Sequence, residues 1–469
     1  MMSRRGGYHR GNYPVSIVSR TIYILLSYLL LPFLVIYLLW RSRKQPEYLE
    51  HWGERFGWTV PKLAPGAIWI HAVSLGETLA AESLVLALRK RYPERLLLLT
   101  HTTPTGRSAG LKIAAQVKLL SVMYLPYDTP WAMRRFLRYV KPCVGLLMET
   151  EVWPNLIACA KAVDVPLALI NARLSEKSLA RGKKYPTLAH QALGSLTLVL
   201  AQSSEDARRL ALMGAQNPQT LGNLKFDIEP SPESLARGVA WRKHFARPQV
   251  LLLANTREGE EVVLLSALKV HADSLMAGPE GLLVLLVPRH PQRFNDVEQM
   301  IRASGFEYLR RSSAPDFEKL GSETLGSQNL GSQTQGATMN PKIQILLGDS
   351  LGEMAAYYSA ADLAVMGGSF EKLGGHNLIE ACTCGCPVIL GPHMFNFASA
   401  SEEAVRGGAA WSVVDAEAAV QKALQLLTGD PSDLQAARKA CGKFSLAHRG
   451  ATERTLAALT PMLPPTPRT

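Results

Sequence analysis

At 469 residues the chain is too long for one ordinary hydrophobic core, so it reads as two domains behind an N-terminal appendage. Apolar residues make up 47% of it and charged residues 19%, which excludes an intrinsically disordered protein. The formal charge of +12 suits an anionic partner. With no zinc-finger spacing, RRM-like signature or aromatic-rich single-strand platform, nucleic acid is set aside in favour of an acidic membrane face or a phosphorylated lipid.

The first element is Thr21–Trp40, which carries no charge and has about the 20 residues that cross a hydrocarbon core. Arg4, Arg5, Arg10 and Arg20 precede it, and Arg41, Arg43 and Lys44 follow. Basic flanks on both sides leave its orientation open. No small-residue cleavage site follows, so a removable signal peptide is not expected. A spanning helix and a half-embedded anchor kinked at Pro32 both fit. The expected division is 1–45 for the basic N-terminus and anchor, 46–230 for a first domain and 231–469 for a second.

From Ala67 onward short apolar runs alternate with amphipathic ones. Strands are expected at Ala67–Val73, Leu96–Thr100, Val144–Met148, Pro166–Ile170 and Leu196–Ala201, with helices such as Thr78–Arg89 and Trp153–Val163 between them. Asp227–Pro248, richer in Pro, Ser and Arg, is expected to connect the domains. A second series follows at Val250–Ala254, Leu282–Pro288, Ile343–Leu347, Leu363–Met366 and Val388–Leu390. Such alternation predicts an α/β fold of two doubly wound, Rossmann-like parallel sheets facing a cleft, with ligands at the carboxyl ends of the strands. Gly321–Asn340 repeats Leu-Gly-Ser without core-forming spacing and is expected to be a flexible surface insertion.

The chemistry-bearing residues fall at strand ends. After the first strand, Ser74-Leu75-Gly76-Glu77 opens a helix, which leaves Glu77 either to take a proton from a hydroxyl or only to complement the helix dipole. Glu149 and Glu151 follow an apolar strand directly. Either could stabilise positive charge on a sugar ring or position a lysine; one could merely cap the next helix. Lys225 in Gly222–Asp227 could neutralise a phosphate or a substrate carboxylate, or simply be solvated. In the second domain Pro288-Arg289 follows a strand, with the guanidinium suited to a phosphate or a base edge. Leu351-Gly352-Glu353 lies in a turn before a helix, and Asn377-Leu378-Ile379-Glu380 opens another, where a carboxylate such as Glu380 can receive ribose hydroxyls. Without an acidic DxD-like pair or a His-rich set, a reaction independent of metal and cofactor is expected. Cys382, Cys384 and Cys386 cluster before Pro387 and are read as small residues filling a tight corner.

Taken in order, HAVSLGETLAAESL, METEVWPNL, NARLSEKS, GNLKFD, TREGEE, VPRHPQRF, GDSLGEM, ADLAVMGGS, GGHNLIEA and GPHMFNF resemble the Kdo (3-deoxy-D-manno-octulosonic acid) transferases of Gram-negative bacteria. The likeness runs from about Arg41 to Phe397, and more loosely to the C-terminus. It implies a GT-B fold and an inverting transfer from CMP-Kdo to lipid IV-A at the cytoplasmic face of the cell inner membrane. By position, Glu77 matches the family's general base, and Glu149 and Lys225 match residues assigned to transition-state stabilisation. Pro288, Arg289, Leu351, Gly352, Glu353, Asn377, Leu378, Ile379 and Glu380 match CMP-binding segments. The arginine-rich start, the Gly321–Asn340 insertion and the cysteine cluster depart from the pattern without touching a matched catalytic position. A heptosyltransferase or a nucleotide-sugar epimerase on the same architecture are the alternative readings.

Overall fold

The computed structural model describes residues 17–227, 230–271, 281–314 and 338–465. They form two compact units, one running to Ile228 and completed by the tail from Gly450, the other spanning Glu229–Arg449.

The first unit is built on seven parallel strands: β1 (Ile68–His71), β2 (Leu97–His101), β3 (Leu120–Tyr124), β4 (Val144–Met148), β5 (Leu167–Ala172), β6 (Leu198–Ala201) and β7 (Gln219–Thr220), in the order β3-β2-β1-β4-β5-β6-β7. Residues alternate between the two faces. Ile68, Ile70, Leu97 and Leu99 enter one apolar cluster, while Trp69 and Leu98 enter another. Both faces are therefore covered, as a parallel sheet needs. The strand order reverses between β1 and β4, which pair directly from Ile68↔Val144 to His71↔Leu147. In open α/β sheets that reversal leaves a crevice at the strands' carboxyl ends.

The second unit repeats the scheme with β8 (Val250–Thr256), β9 (Leu283–Pro288), β10 (Tyr308–Arg310), β11 (Ile345–Leu347), β12 (Leu363–Met366), β13 (Val388–Leu390) and β14 (Ala410–Ser412), in the order β10-β11-β9-β8-β12-β13-β14. Its reversal lies between β8 and β12. There Gly367 permits a close approach, since a Cβ on it would stand 2.5 Å from the Asn255 carbonyl oxygen.

The apolar N-terminal stretch is two helices rather than one. Helix α1 (Ile17–Leu29) and helix α2 (Leu31–Ser42) meet at 45°, with Pro32 in the first turn of α2. No single helix among the described residues is long and apolar enough to cross a membrane. Leu31, Val35 and Leu38 pack α2 onto Tyr48, Phe56 and Tyr127, and the Tyr23 hydroxyl of α1 donates to Asp128 Oδ2 at 2.9 Å. Leu25, Leu29, Phe33, Ile36 and Trp40 remain exposed.

The expected boundaries change in two places. Asp227–Pro248 is not a linker: Ser231 caps a helix over Pro232–Phe245, and Trp241 and Phe245 are fully buried in the second unit. Nor does the second domain extend to residue 469. The tail helix Ala451–Leu459 joins the first unit, because Ala451, Leu456 and Leu459 complete one of its apolar clusters. Asp227 fastens that helix by accepting from the Gly450 N–H at 2.7 Å and from the Thr452 N–H. Of the insertion at Gly321–Asn340, only Thr338, Met339 and Asn340 lie within the described residues.

Candidate active site

In the first unit the acidic groups gather at the reversal point. Ser74 caps helix α3 (Leu75–Arg91), its hydroxyl accepting from the Glu77 N–H at 3.4 Å and donating to Glu77 Oε1 at 3.0 Å. Glu77 Oε2 accepts from the Val73 N–H at 2.9 Å. The arrangement resembles a capping box, which satisfies orphan N–H groups at a helix start. It also fixes the Glu77 carboxylate at the end of β1 while leaving it half-buried. Burial raises its pKa, Glu149 adds to the rise, and hydrogen bonds from Val73 and Ser74 and the charge of Lys225 oppose it.

One strand along, Glu149 follows β4 with φ 53°, a left-handed conformation that costs a non-glycine residue on the order of 1 kcal/mol. Its N–H bonds to the Ile170 carbonyl at 3.0 Å and its carbonyl receives the Arg173 N–H at 3.3 Å, so the strained backbone is held from both sides. The side chain is only 7% exposed. Lys225 Nζ meets Oε1 at 2.7 Å and Arg173 Nε meets Oε2 at 3.1 Å. Glu151 is distinct. Trp153 Nε1 donates to it at 2.7 Å, yet burial first, then the charges of Glu77 and Glu149, lift its pKa to about 7.

Lys225 reaches Glu149 through a network that no local pattern announces. Asn171, at φ 48° in β5, accepts the Leu224 N–H on Oδ1 at 2.9 Å. Gln202 donates to the Asn171 carbonyl at 2.9 Å and accepts from Asn223 Nδ2 at 3.0 Å. Asn223 Oδ1 then takes the Lys225 N–H at 3.0 Å. The ends of β5 and β6 thus carry the turn that delivers the lysine. Asn171 Nδ2 is buried without a partner, so the network is held through the amide and carbonyl oxygens.

In the second unit a cationic rim surrounds the ends of β8, β9 and β12. Arg257 Nη1 lies 2.9 Å from His290 Nε2. Arg289 is exposed just past Pro288, and its N–H bonds to the Thr256 carbonyl at 3.0 Å. The buried Glu260 carboxylate ties these loops together, accepting from the N–H groups of Arg257 at 2.9 Å, Gly368 at 2.8 Å and Phe370 at 3.1 Å. Burial, then the charges of Arg289 and Arg257, push His376 down to about 4, so its ring is neutral. Burial raises Glu380, and Arg289 pulls it back.

The sequence-derived residues divide accordingly. Glu77, Glu149 and Lys225 come together, with Arg173, Asn171 and Gln202 as partners missed as individual residues. Arg289 and Glu380 share a site with His376, Arg257 and Glu260, also missed. Asn377 caps a helix over Leu378–Thr383 by accepting the Ile379 N–H at 3.1 Å, and the Leu378 and Ile379 side chains are buried, so only their backbone is available to a ligand. Leu351 is exposed and Gly352 left-handed at φ 81°. Glu353 is already engaged by Arg237 and Arg311, each at 3.0 Å, and by Ser350. Cys382, Cys386 and Cys441 are buried. A hydrogen bond with Cys441, then burial, raises Cys382, and burial, then the charge of Glu380, pushes Cys384 up to about 12. Thiols of that kind are packing groups rather than nucleophiles.

Residues 50–228 match a family model described as 3-Deoxy-D-manno-octulosonic-acid transferase (kdotransferase), and residues 323–443 match one described as Glycosyl transferases group 1. A 3-deoxy-D-manno-octulosonic acid transferase of Bordetella pertussis is 45% identical over 408 residues, covering 86% of this chain and 89% of that one. The chain belongs to the Kdo transferase family. It is a Kdo glycosyltransferase of lipopolysaccharide biosynthesis. Solved structures agree on the fold alone. A glycosyltransferase from Rickettsia africae aligns with TM-score 0.55 at 14% identity over 85% of this chain and 99% of that one. A UDP-GlcNAc 2-epimerase from Neisseria meningitidis aligns with TM-score 0.52 at 14% identity over 84% and 100%. The architecture serves both chemistries, and it is the family membership that separates a Kdo transferase from an epimerase.

Proposed function

We propose that this Kdo transferase moves the sugar from CMP-Kdo to a hydroxyl of lipid IV-A, with inversion, and that Glu77 is the base. The half-buried Glu77 carboxylate, fixed at the β1 end among Glu149, Glu151 and Lys225, is the observation that carries the reading. Its raised pKa brings its basicity closer to the working pH, where general bases act best. The acceptor oxygen attacks the anomeric carbon as Glu77 takes its proton, and the bond to the CMP phosphate breaks with its electron pair leaving on CMP. Positive charge growing on the sugar ring meets the Glu149 carboxylate. Lys225 and Arg173 hold that carboxylate in place.

In this reading the second unit holds the nucleotide. Arg289 and Arg257 receive phosphate oxygens, and Glu380 receives ribose hydroxyls. Chemistry on a phosphorylated lipid suits the cytoplasmic face of the inner membrane. There the exposed apolar side chains of α1 and α2, with Arg20, Arg41, Arg43 and Lys44 beside them, lie in the interface. The docking of Leu38 and Tyr23 onto the first unit favours a half-embedded pair over a spanning one.

The test is direct. Purified protein incubated with CMP-Kdo and lipid IV-A gives a product heavier by one or more Kdo residues, and free CMP is released in proportion. Release of CMP with no change in the lipid sinks the assignment.

A further inference from the structure

Two cavities in the first unit lie side by side. The inner one, about 230 Å3, is lined by Glu149 and Arg173 and otherwise mostly by apolar side chains, among them Leu169, Leu193 and Met213. The outer one, about 470 Å3, lies between Arg20, Thr21 and Ile24 of α1 and the helix α4 (Pro154–Lys161), which contributes Ile157, Ala158 and Lys161. Three residues line both: Pro154, and Leu188 and Ala192 of helix α5 (Pro186–Leu193). The two cavities therefore adjoin at these three residues, which marks a path from the buried carboxylate toward the first helix.

Protein interiors are close-packed, and apolar space of this size left unfilled forfeits dispersion and burial energy. A fold that keeps such space beside its reacting groups gains when a ligand fills it. The ligand must be apolar along its length. Negative charge on it suits the outer cavity, where Arg20 and Lys161 line the wall, whereas Arg173 in the inner one is already paired with Glu149. We propose that one acyl chain of a phosphorylated glycolipid acceptor lies along this path, from beneath the carboxylates to α1. This rests on the reading of the substrate as a lipid, and it adds where in the fold a hydrocarbon chain is held. The sugar stays with Glu77 and Glu149 while its chain leads back toward the bilayer. Chain length then becomes a determinant of acceptor choice.

The experiment uses the full chain and lipid IV-A bearing a photoactivatable diazirine in one acyl chain, without CMP-Kdo, with labelled residues mapped by mass spectrometry. Label is expected on Pro154–Ala158 and Leu188–Leu193. Ala192→Phe, which fills the shared wall, is expected to cut that label about tenfold, the equivalent of losing one or two buried methylenes. Ala189→Leu, at a half-buried lining position, carries the same comparison if the larger side chain lowers the melting temperature. Label confined to residues 22–40, label unchanged in both variants, or displacement by the deacylated disaccharide bisphosphate as effective as by lipid IV-A would each overturn the proposal. Because labelling needs no turnover, the two readings fail separately. Transfer without label removes only the acyl path, and label without transfer removes only the reaction.

Discussion

At the scale of single residues, three carboxylates share one strand-end crevice and are not equivalent. Glu149 is neutralised by two cations, Glu77 is raised chiefly by burial, and Glu151 is lifted to about 7. Glu151 therefore binds a proton in the folded state that the unfolded chain releases near the ordinary carboxylate range. Between those two values the native state holds more protons, so stability falls as pH rises through the window. Glu151→Gln removes that dependence. Its melting temperature relative to the parent is expected to climb from about pH 4.5 to about pH 7 and then level off; a constant difference would contradict the raised value. Lys225→Ala leaves Glu149 with Arg173 alone. The expected outcome is a stability loss of about 1–3 kcal/mol in denaturant titration, moderated because the lysine is partly exposed, together with a fall in kcat.

Some of these residues were open to a reading from sequence and some were not. The Ser74-x-x-Glu77 spacing directly after an apolar run marks a helix start at a strand end, and that is where Glu77 stands. Lys225 was visible as a residue of a turn, but its contact with Glu149 spans 76 positions and depends on Asn171 and Gln202, which only the ends of β5 and β6 bring together. Glu353 offered a free carboxylate in the sequence and is instead occupied by two arginines, one of them distant by 116 positions.

At the scale of elements, the ten apolar runs are strands at or near their expected positions. The strands that escaped notice are β3, β7, β10 and β14. All four are the edge strands of their sheets, so none needs a continuous apolar run. The apolar N-terminal stretch was legible as one segment, with a kink at Pro32 among its readings, whereas the docking through Leu38 was not, since it follows from packing on Tyr48 and Phe56. Removing residues 1–40 would strip that packing, so charge substitutions test the surface more cleanly. Leu29→Glu with Phe33→Glu, both at side chains more than 60% exposed, is expected to lower co-sedimentation with anionic vesicles while leaving the melting temperature within about 2 °C. Unchanged sedimentation would remove the helix pair from the membrane contact.

At the scale of the whole molecule, two sheets of similar topology each reverse their strand order once, and each reversal gathers opposite chemistry: carboxylates in the first unit, arginines in the second. The tail from Gly450 ties the end of the chain to the first unit. Deleting residues 450–469 exposes the apolar surface under Leu456 and Leu459 and is expected to lower the melting temperature of that unit, read by calorimetry. The proposed function assigns proton abstraction to one unit and nucleotide binding to the other, so the two should separate under mutation. The decisive measurement is single-turnover transfer from CMP-Kdo to lipid IV-A by Glu77→Gln, paired with calorimetric binding of CMP. Transfer is expected to fall by about a thousandfold with CMP affinity unchanged within about twofold. Transfer at the parent rate would contradict the account.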